Sequence, residues 1–200
     1  MQDILKDAYE NHYAVGAFNC YGYETAKAVI KTAKKLNIPA IIAFGAKYLD
    51  NMEFNEIYGV VSTLLKNNNV PVALHLDHCS NIEEIYRAIN AGFTSVMYDG
   101  SHLPFEENLS NTKRIVEVAH SVGVSVEAEL GSIATGLDSH EGRAGEVGNY
   151  TDPDMALEFV KETDVDSLAV SIGTVHGHYK GEPNIRLDIL KKINEKVNIP

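Results

Sequence analysis

The sequence predicts an α/β protein with a TIM (β/α)8 barrel, of which about six βα units are present in the 200 residues. Short apolar runs alternate with amphipathic helical stretches along the whole chain. The predicted strands begin near residues 15, 40, 72, 95, 125 and 167. Their mean spacing of roughly 30 residues is typical of one strand-plus-helix unit. Polar residues also cluster where several of these strands end, as in a barrel active site.

Each predicted element follows from the spacing of apolar residues and from the residues that cap or end the element. The apolar runs predict strands at Val15–Cys20, Ala40–Phe44, Val72–His78, Ser95–Tyr98, Val124–Leu130 and Ser167–Ile172. The helical stripes predict helices at Asp3–Asn11, Glu24–Leu36, Phe54–Lys66, Ile82–Asn90, Phe105–Val122, Pro153–Thr163 and Leu187–Val197. Gly92 is a plausible helix stop, and Thr151 or Asp152 a helix cap.

An open doubly wound sheet is the alternative architecture. The first strand-to-helix turn, from Phe18 to Glu24, has no Gly-x-Gly-x-x-Gly, so the barrel is favoured. A complete barrel takes eight units and about 250 residues. Pro39 and Pro71 precede predicted strands, and Pro200 stands where another strand should begin. We therefore expect residues 1–200 to form one barrel domain that is incomplete at its C-terminus.

Composition and charge exclude several kinds of partner and location for this chain. The chain has 28 acidic and 17 basic residues, a net charge of -11, which argues against nucleic-acid and anionic-membrane partners. No apolar run approaches the length of a membrane span, and the charged N-terminus is unlike a signal peptide. Cys20 and Cys79 are widely separated and predict reduced thiols in a cytoplasmic protein.

The first candidate site is His75-Leu76-Asp77-His78, at the end of the third predicted strand. His75 and Asp77 share one face of that strand, and a strand end near Asp77 would let the turn bring His78 to the same mouth. A neutral histidine suits zinc, and an adjacent carboxylate suits proton transfer. A core histidine beside a helix-capping aspartate is the equally weighted alternative.

The second candidate is His176 between Gly173 and Gly177, after the sixth predicted strand. A histidine among glycines suggests close approach of the backbone to a ligand. Alone, the segment is better explained as a tight turn. Together with Asp77 and His78, it predicts a catalytic metal site at the strand ends.

The third candidate is acidic. Asp99 follows the fourth predicted strand, and Glu127 and Glu129 share one face of the fifth. Carboxylates inside a barrel need a cation or hydrogen-bond donors, and the six predicted strands contain no Lys or Arg. A bound cation is therefore favoured. The same lack of lysine weighs against a Schiff-base aldolase.

Together these residues resemble the class II, metal-dependent fructose-bisphosphate/tagatose-bisphosphate aldolase family, from the N-terminus to Pro200. Six segments in order carry the resemblance: Val15–Asn19, His75–His78, Ala91–His102, Pro104–Asn108, Val126–Gly131 and Gly173–Gly177. It implies cleavage or condensation of a ketose 1,6-bisphosphate, with dihydroxyacetone phosphate and an aldehyde phosphate as products. We also expect a homo-oligomer, either a dimer or a tetramer.

The resemblance assigns roles to residues that match the family's segments. Asp77 would be the proton donor, His78 and His176 would bind the catalytic Zn²⁺, and Gly177 would contact dihydroxyacetone phosphate. A second divalent or monovalent cation would use Asp99 and Glu129, while Asn19 would belong to the substrate site. The family's third zinc histidine lies beyond the strands found in this chain.

The segment Gly131–Asn149 is rich in glycine and charge and predicts a mobile loop at the active-site mouth. Leu137 stands where the family usually has a glutamate that moves the substrate proton, so Asp138 and Glu141 are the substitute acids that we predict. The family's serine after the second strand is also missing, since Phe44-Gly45-Ala46 stands there. A relative with altered substrate or chemistry, or a non-catalytic barrel fragment, are the alternatives.

Overall fold

The computed structural model describes residues 1–135, 149–179 and 181–200. Its helices are α1 Gln2–Glu10, α2 Tyr23–Leu36, α3 Phe54–Leu65, α4 Ile82–Ala91, α5 Phe105–Ser121, α6 Pro153–Thr163 and α7 Leu187–Val197, with a 3-10 helix at Ala46–Tyr48. Its strands are β1 Ala17–Asn19, β2 Ala40–Gly45, β3 Val72–Cys79, β4 Ser95–Tyr98, β5 Ser125–Leu130, β6 Ala134–Thr135, β7 Ser167–Val170 and β8 Val175–His176.

The main sheet contains six strands in the order β1-β2-β3-β4-β5-β7. The pairs β1–β2, β2–β3, β3–β4 and β5–β7 are parallel, and a helix follows each strand. Strands that pair in chain order are typical of a (β/α)8 barrel, whereas a doubly wound sheet reverses its order at a switch point. The predicted fold class, with six βα units, is confirmed.

Element boundaries agree with the sequence prediction to within a few residues. The capping prediction for α6 is also confirmed, since the Asp152 carboxylate accepts hydrogen bonds from the backbone N–H groups of Asp154 at 2.8 Å and Met155 at 3.0 Å. Gly92 ends α4 in the left-handed conformation at φ 104°. The short parallel pair β6–β8 was not predicted, because two-residue strands carry no measurable periodicity.

The chain divides into two compact units. The first comprises Met1–Tyr98 and Glu117–Val126, and the second comprises Asp99–Val116 and Glu127–Pro200. In the first, β2 is buried along its whole length, and the rings of Phe44, Phe54 and Phe93 pack edge to face with centroids 5.3–6.4 Å apart. In the second, Phe105 of α5 packs edge to face on Phe159 of α6 at 6.0 Å.

The segment predicted to be a loop, 131–149, lies mostly outside the described residues. Its two flanks are joined by an antiparallel bridge between Ser132 and Asn149. Gly131 begins the segment at φ 84°, where an added Cβ would lie 2.6 Å from the Thr151 hydroxyl oxygen, so only glycine fits. Asp138 and Glu141 lie outside the described residues, and their proposed role stays a prediction. Within the described residues, no helix is long and apolar enough to cross a membrane.

Candidate metal centre and active site

The end of β3 departs from regular strand geometry at the predicted site. Leu76 pairs with Val96 and Cys79 with Tyr98, so β3 carries one extra residue opposite β4. This is a β-bulge, and within it His78 adopts φ 46°, a left-handed conformation that is uncommon for a residue with a side chain. The predicted strand Val72–His78 is therefore confirmed to within one residue, but the condition that it end near Asp77 is not met: the strand continues to Cys79, and the bulge re-aims His78.

His75, the first histidine of the same segment, is a buried core residue with a hydrogen-bond partner. Its side chain is buried, and its Nδ1 lies 2.8 Å from the hydroxyl oxygen of Ser95, its ladder partner on β4. Burial, the positive charge of the N-terminus and that of His78 lower the pKa of His75 to about 3. His75 is therefore neutral at physiological pH and fits the satisfied core histidine of the alternative interpretation.

Asp99 lies directly after β4 and is half-buried. Its Oδ1 accepts hydrogen bonds from the backbone N–H of Ser101 at 3.2 Å and from the Ser101 hydroxyl at 2.6 Å. These two bonds form a local turn that fixes the orientation of the carboxylate. Ser101 follows Asp99-Gly100 in the sequence, so this support could have been predicted from a known Asx-turn pattern.

Glu129 lies in β5 and is 2 % exposed. The Asn108 side-chain amide on α5 donates a 3.0 Å hydrogen bond to the backbone carbonyl of Glu129. Asn108 is itself buried, and its side-chain oxygen accepts from the Thr112 hydroxyl at 3.2 Å. This chain of hydrogen bonds ties β5 to its neighbouring helix at the residue that carries the acid. Asn108 lies in the Pro104–Asn108 segment of the family resemblance but was given no role there, and Thr112 was not singled out because it lies inside an otherwise ordinary helix.

His78, Asp99 and Glu129 come together in the structure. One ligand atom from each residue lies within 4.8 Å of the others. Ligands that share one zinc ion at 2.0–2.2 Å lie about 3.3–3.5 Å apart in a tetrahedron, so small side-chain adjustments would let the three share an ion. One nitrogen and two carboxylates form a donor set suited to Zn²⁺ and related transition metals. The residues therefore fit a metal ion.

His176 is not a member of this cluster. It is half-buried on β8, where it pairs with Thr135 of β6. Gly177 follows it at φ 82° and is exposed. Upstream, Gly173 has φ 101°, and a Cβ there would lie 2.3 Å from the backbone oxygen of Asn184. Gly173 is therefore required by its backbone conformation and by the close approach of Asn184, while the predicted approach of Gly177 to a ligand stays a prediction.

The remaining predicted site residues lie at strand ends. Asp77 is half-buried and pairs with Gly45 of β2, and Asn19 is exposed at the end of β1, opposite Ala43. Both therefore lie towards the carboxyl ends of strands that flank β2 on either side, as predicted for strand-end residues. Their roles stay predictions.

Comparisons with known proteins identify the family. The family model for class II fructose-bisphosphate aldolase matches residues 1–200. The chain therefore belongs to the class II fructose-bisphosphate aldolase family, and the resemblance seen in its sequence is confirmed.

Individual relatives agree with this assignment. A fructose-bisphosphate aldolase of Staphylococcus aureus is 42% identical over 205 residues, covering 100% of this chain and 70% of that protein. A 6-phospho-5-dehydro-2-deoxy-D-gluconate aldolase of Halalkalibacterium halodurans is 41% identical over 203 residues, covering 100% of this chain and 69% of that protein. The crystal structure of the YdjI aldolase from Escherichia coli K12 matches with a TM-score of 0.86 and 36% identity, over 100% of this chain and 69% of that one.

Proposed function

We propose that this protein is a zinc-dependent aldolase that cleaves a phosphorylated ketose, of the fructose or tagatose bisphosphate type, into dihydroxyacetone phosphate and an aldehyde phosphate. The observation that carries the proposal is the convergence of His78, Asp99 and Glu129 within 4.8 Å. Family membership supports the carbon–carbon lyase chemistry. Asp77, next to His78 in the chain, supplies a carboxylate for proton transfer.

The donor set supports the metal part of the proposal. A cation would stabilise the negative charge of the buried Glu129 carboxylate. His78, Asp99 and Glu129 would hold the ion, and His176 of β8 is a further proposed ligand. When bound, the ion supplies Lewis-acid stabilisation of negative charge on the ketose half.

Asp77 performs the proton transfer in this proposal. During cleavage its carboxylate takes the proton from the hydroxyl on the carbon that becomes the aldehyde. That carbon's bond to the ketose half then breaks, and the bonding electron pair stays with the ketose half as an enediolate. A proton added to the ketose-half carbon that held the broken bond completes dihydroxyacetone phosphate, and Asp138 and Glu141 are the proposed donors of that proton. Asn19 and Gly177 are proposed to position the substrate.

A second substrate has specific support. The 6-phospho-5-dehydro-2-deoxy-D-gluconate aldolase is as similar to this chain, at 41%, as the fructose-bisphosphate aldolase is at 42%. Overall identity therefore does not favour one sugar. Leu137 also replaces the loop glutamate expected from the family resemblance, which favours a relative with altered substrate or chemistry.

The test measures metal content and cleavage together. Purified protein should contain zinc by elemental analysis and should release dihydroxyacetone phosphate from fructose bisphosphate, tagatose bisphosphate or the phosphorylated dehydro-deoxygluconate. Chelation should abolish the reaction, and zinc should restore it. Zinc binding without cleavage of any of the three would contradict the proposed substrate class. A protein that binds no zinc and cleaves none of them is the non-catalytic fragment of the alternative interpretation.

A further inference from the structure

An aromatic pair covers the ends of two strands beside the proposed active site. The ring centroids of Tyr21 and Tyr48 are 3.9 Å apart, and the ring planes are inclined at 37°. Tyr21 follows β1, and Tyr48 ends the 3-10 helix that follows β2. Both rings therefore lie on the side of the sheet where the carboxyl ends of the strands meet, which is where barrel enzymes bind substrate.

The backbone of β2 is shaped to accept one of these rings. A Cβ added to Gly45 would lie 3.3 Å from Cδ2 and 3.4 Å from Cε2 of Tyr48, so the Tyr48 ring packs directly over Gly45. Gly45 is also the ladder partner of Asp77 on β3. Neighbouring strands are about 4.8 Å apart, so the ring stands one strand away from the proposed proton-transfer carboxylate.

A cation accompanies the ring. The Lys47 ammonium lies 5.4 Å from the centroid of the Tyr48 ring and is exposed. In a chain with a net charge of -11, a lysine at a strand end beside the proposed site is a local exception. It offers a counter-charge for an anionic group whose carbon chain packs on the ring.

We propose that Tyr48, braced by Tyr21, forms the wall of the subsite for the aldehyde half of the substrate, and that Lys47 pairs with the anionic end of that half. This inference rests on the proposed function. Proton transfer requires the aldehyde oxygen to lie within about 3 Å of the Asp77 carboxylate. The carbon chain attached to that carbonyl then extends over the neighbouring strand end, where the Tyr48 ring packs against its C–H groups. The subsite therefore selects aldehydes whose carbon chain ends in an anionic group such as a phosphate.

The experiment measures recognition of the aldehyde half and of the ketose half in separate assays. Condensation is measured with dihydroxyacetone phosphate and either glyceraldehyde 3-phosphate or unphosphorylated glyceraldehyde. Exchange of the dihydroxyacetone phosphate C–H hydrogen with deuterated water, measured without any aldehyde, reports on the ketose half alone. Tyr48→Ala should raise the KM for both aldehydes by about 3- to 10-fold and leave exchange at the wild-type rate. Tyr48→Phe, which keeps the ring, should stay within about twofold of wild type.

Lys47→Ala should raise the KM for glyceraldehyde 3-phosphate and leave that for glyceraldehyde unchanged. The controls are Tyr58→Ala on α3 and Lys27→Ala, which removes a similar ring–ammonium contact, 4.8 Å long, with Tyr23. An unchanged aldehyde KM in Tyr48→Ala, or equal loss of exchange and condensation, would overturn the inference. A wild-type protein that shows neither exchange nor condensation would overturn the proposed function itself.

Discussion

Asp77 and His78 are neighbours in the chain, yet the proposal gives them different tasks. In a regular strand their side chains would point to opposite faces. The bulge between Leu76 and Cys79, with His78 at φ 46°, breaks that alternation. A non-glycine residue in this conformation costs about 1–3 kcal/mol, which the surrounding fold must supply. Strain of this kind, at a residue that joins a ligand cluster, is expected where function fixes the geometry.

The first prediction separates proton transfer from metal binding. Asp77→Asn should lower turnover by about 10²- to 10⁴-fold, because an amide cannot accept the substrate proton. Zinc content, measured by elemental analysis of the same sample, should stay at the wild-type level, since Asp77 is not among the clustered ligand atoms. Loss of zinc together with turnover would instead make Asp77 a ligand or a support for one. Asn81→Ser, a conservative change at the cap of α4, is the matched control.

At the level of elements, the sequence predicted nearly the whole fold. The apolar run of β2 and the Asp152-Pro153 start of α6 carry local signals, and the structure places both as expected. The bulge in β3 was not predictable, because it depends on how β3 pairs with β4 rather than on either segment alone. The short β6–β8 pair was missed because strands of two residues carry no measurable periodicity.

The candidate site likewise combines features with a local sequence signal and features set only by how distant segments meet. Positions at strand ends predicted a metal site and a cation near the acids, and the family resemblance assigned His78, Asp99 and Glu129 as ligands. The sequence assigned His78 to one ion and the two acids to another, whereas the structure brings all three into one cluster. Distances between strand ends depend on barrel geometry, which no local pattern encodes. The supporting role of Asn108 and Thr112 was not predicted, because polar residues are common on helices and the contact of Asn108 with β5 is set by tertiary packing.

The second prediction concerns the segment after β7. Gly173→Ala should destabilise the fold, because φ 101° disfavours a side chain and the new Cβ would meet the Asn184 oxygen at 2.3 Å. A strain of about 1–3 kcal/mol would lower Tm by about 2–12 °C in a protein of this size. Gly181→Ala is the control, since an added Cβ there meets nothing within 4 Å. Equal melting temperatures by calorimetry would show that the loop rearranges freely around residue 173.

For the whole molecule, one buried histidine should contribute to acid sensitivity. The pKa of His75 is lowered to about 3 in the folded state, mainly by burial, whereas the unfolded chain has a value near 6.5. The unfolded state therefore binds more protons between these values, and the contribution of His75 to stability is present above pH of about 6.5 and lost as pH falls toward 3. His75→Gln should show a weaker loss of the urea midpoint between pH 7 and 5 than wild type. Parallel loss in both proteins would assign the acid sensitivity to other groups.

The last prediction links the metal cluster to the stability of the whole protein. A ligand that binds only the folded state raises the free energy of unfolding, by about 2.7 kcal/mol at a hundredfold excess over Kd. Zinc should therefore raise the Tm of the metal-free wild-type protein by about 5–11 °C. Glu129→Gln should reduce this increase, because an amide is a poorer ligand than a carboxylate. Glu127→Gln is the control, as Glu127 lies on the same strand but outside the cluster. A Tm increase of equal size in wild type and Glu129→Gln would show that zinc binds elsewhere, and the proposed centre would then be wrong.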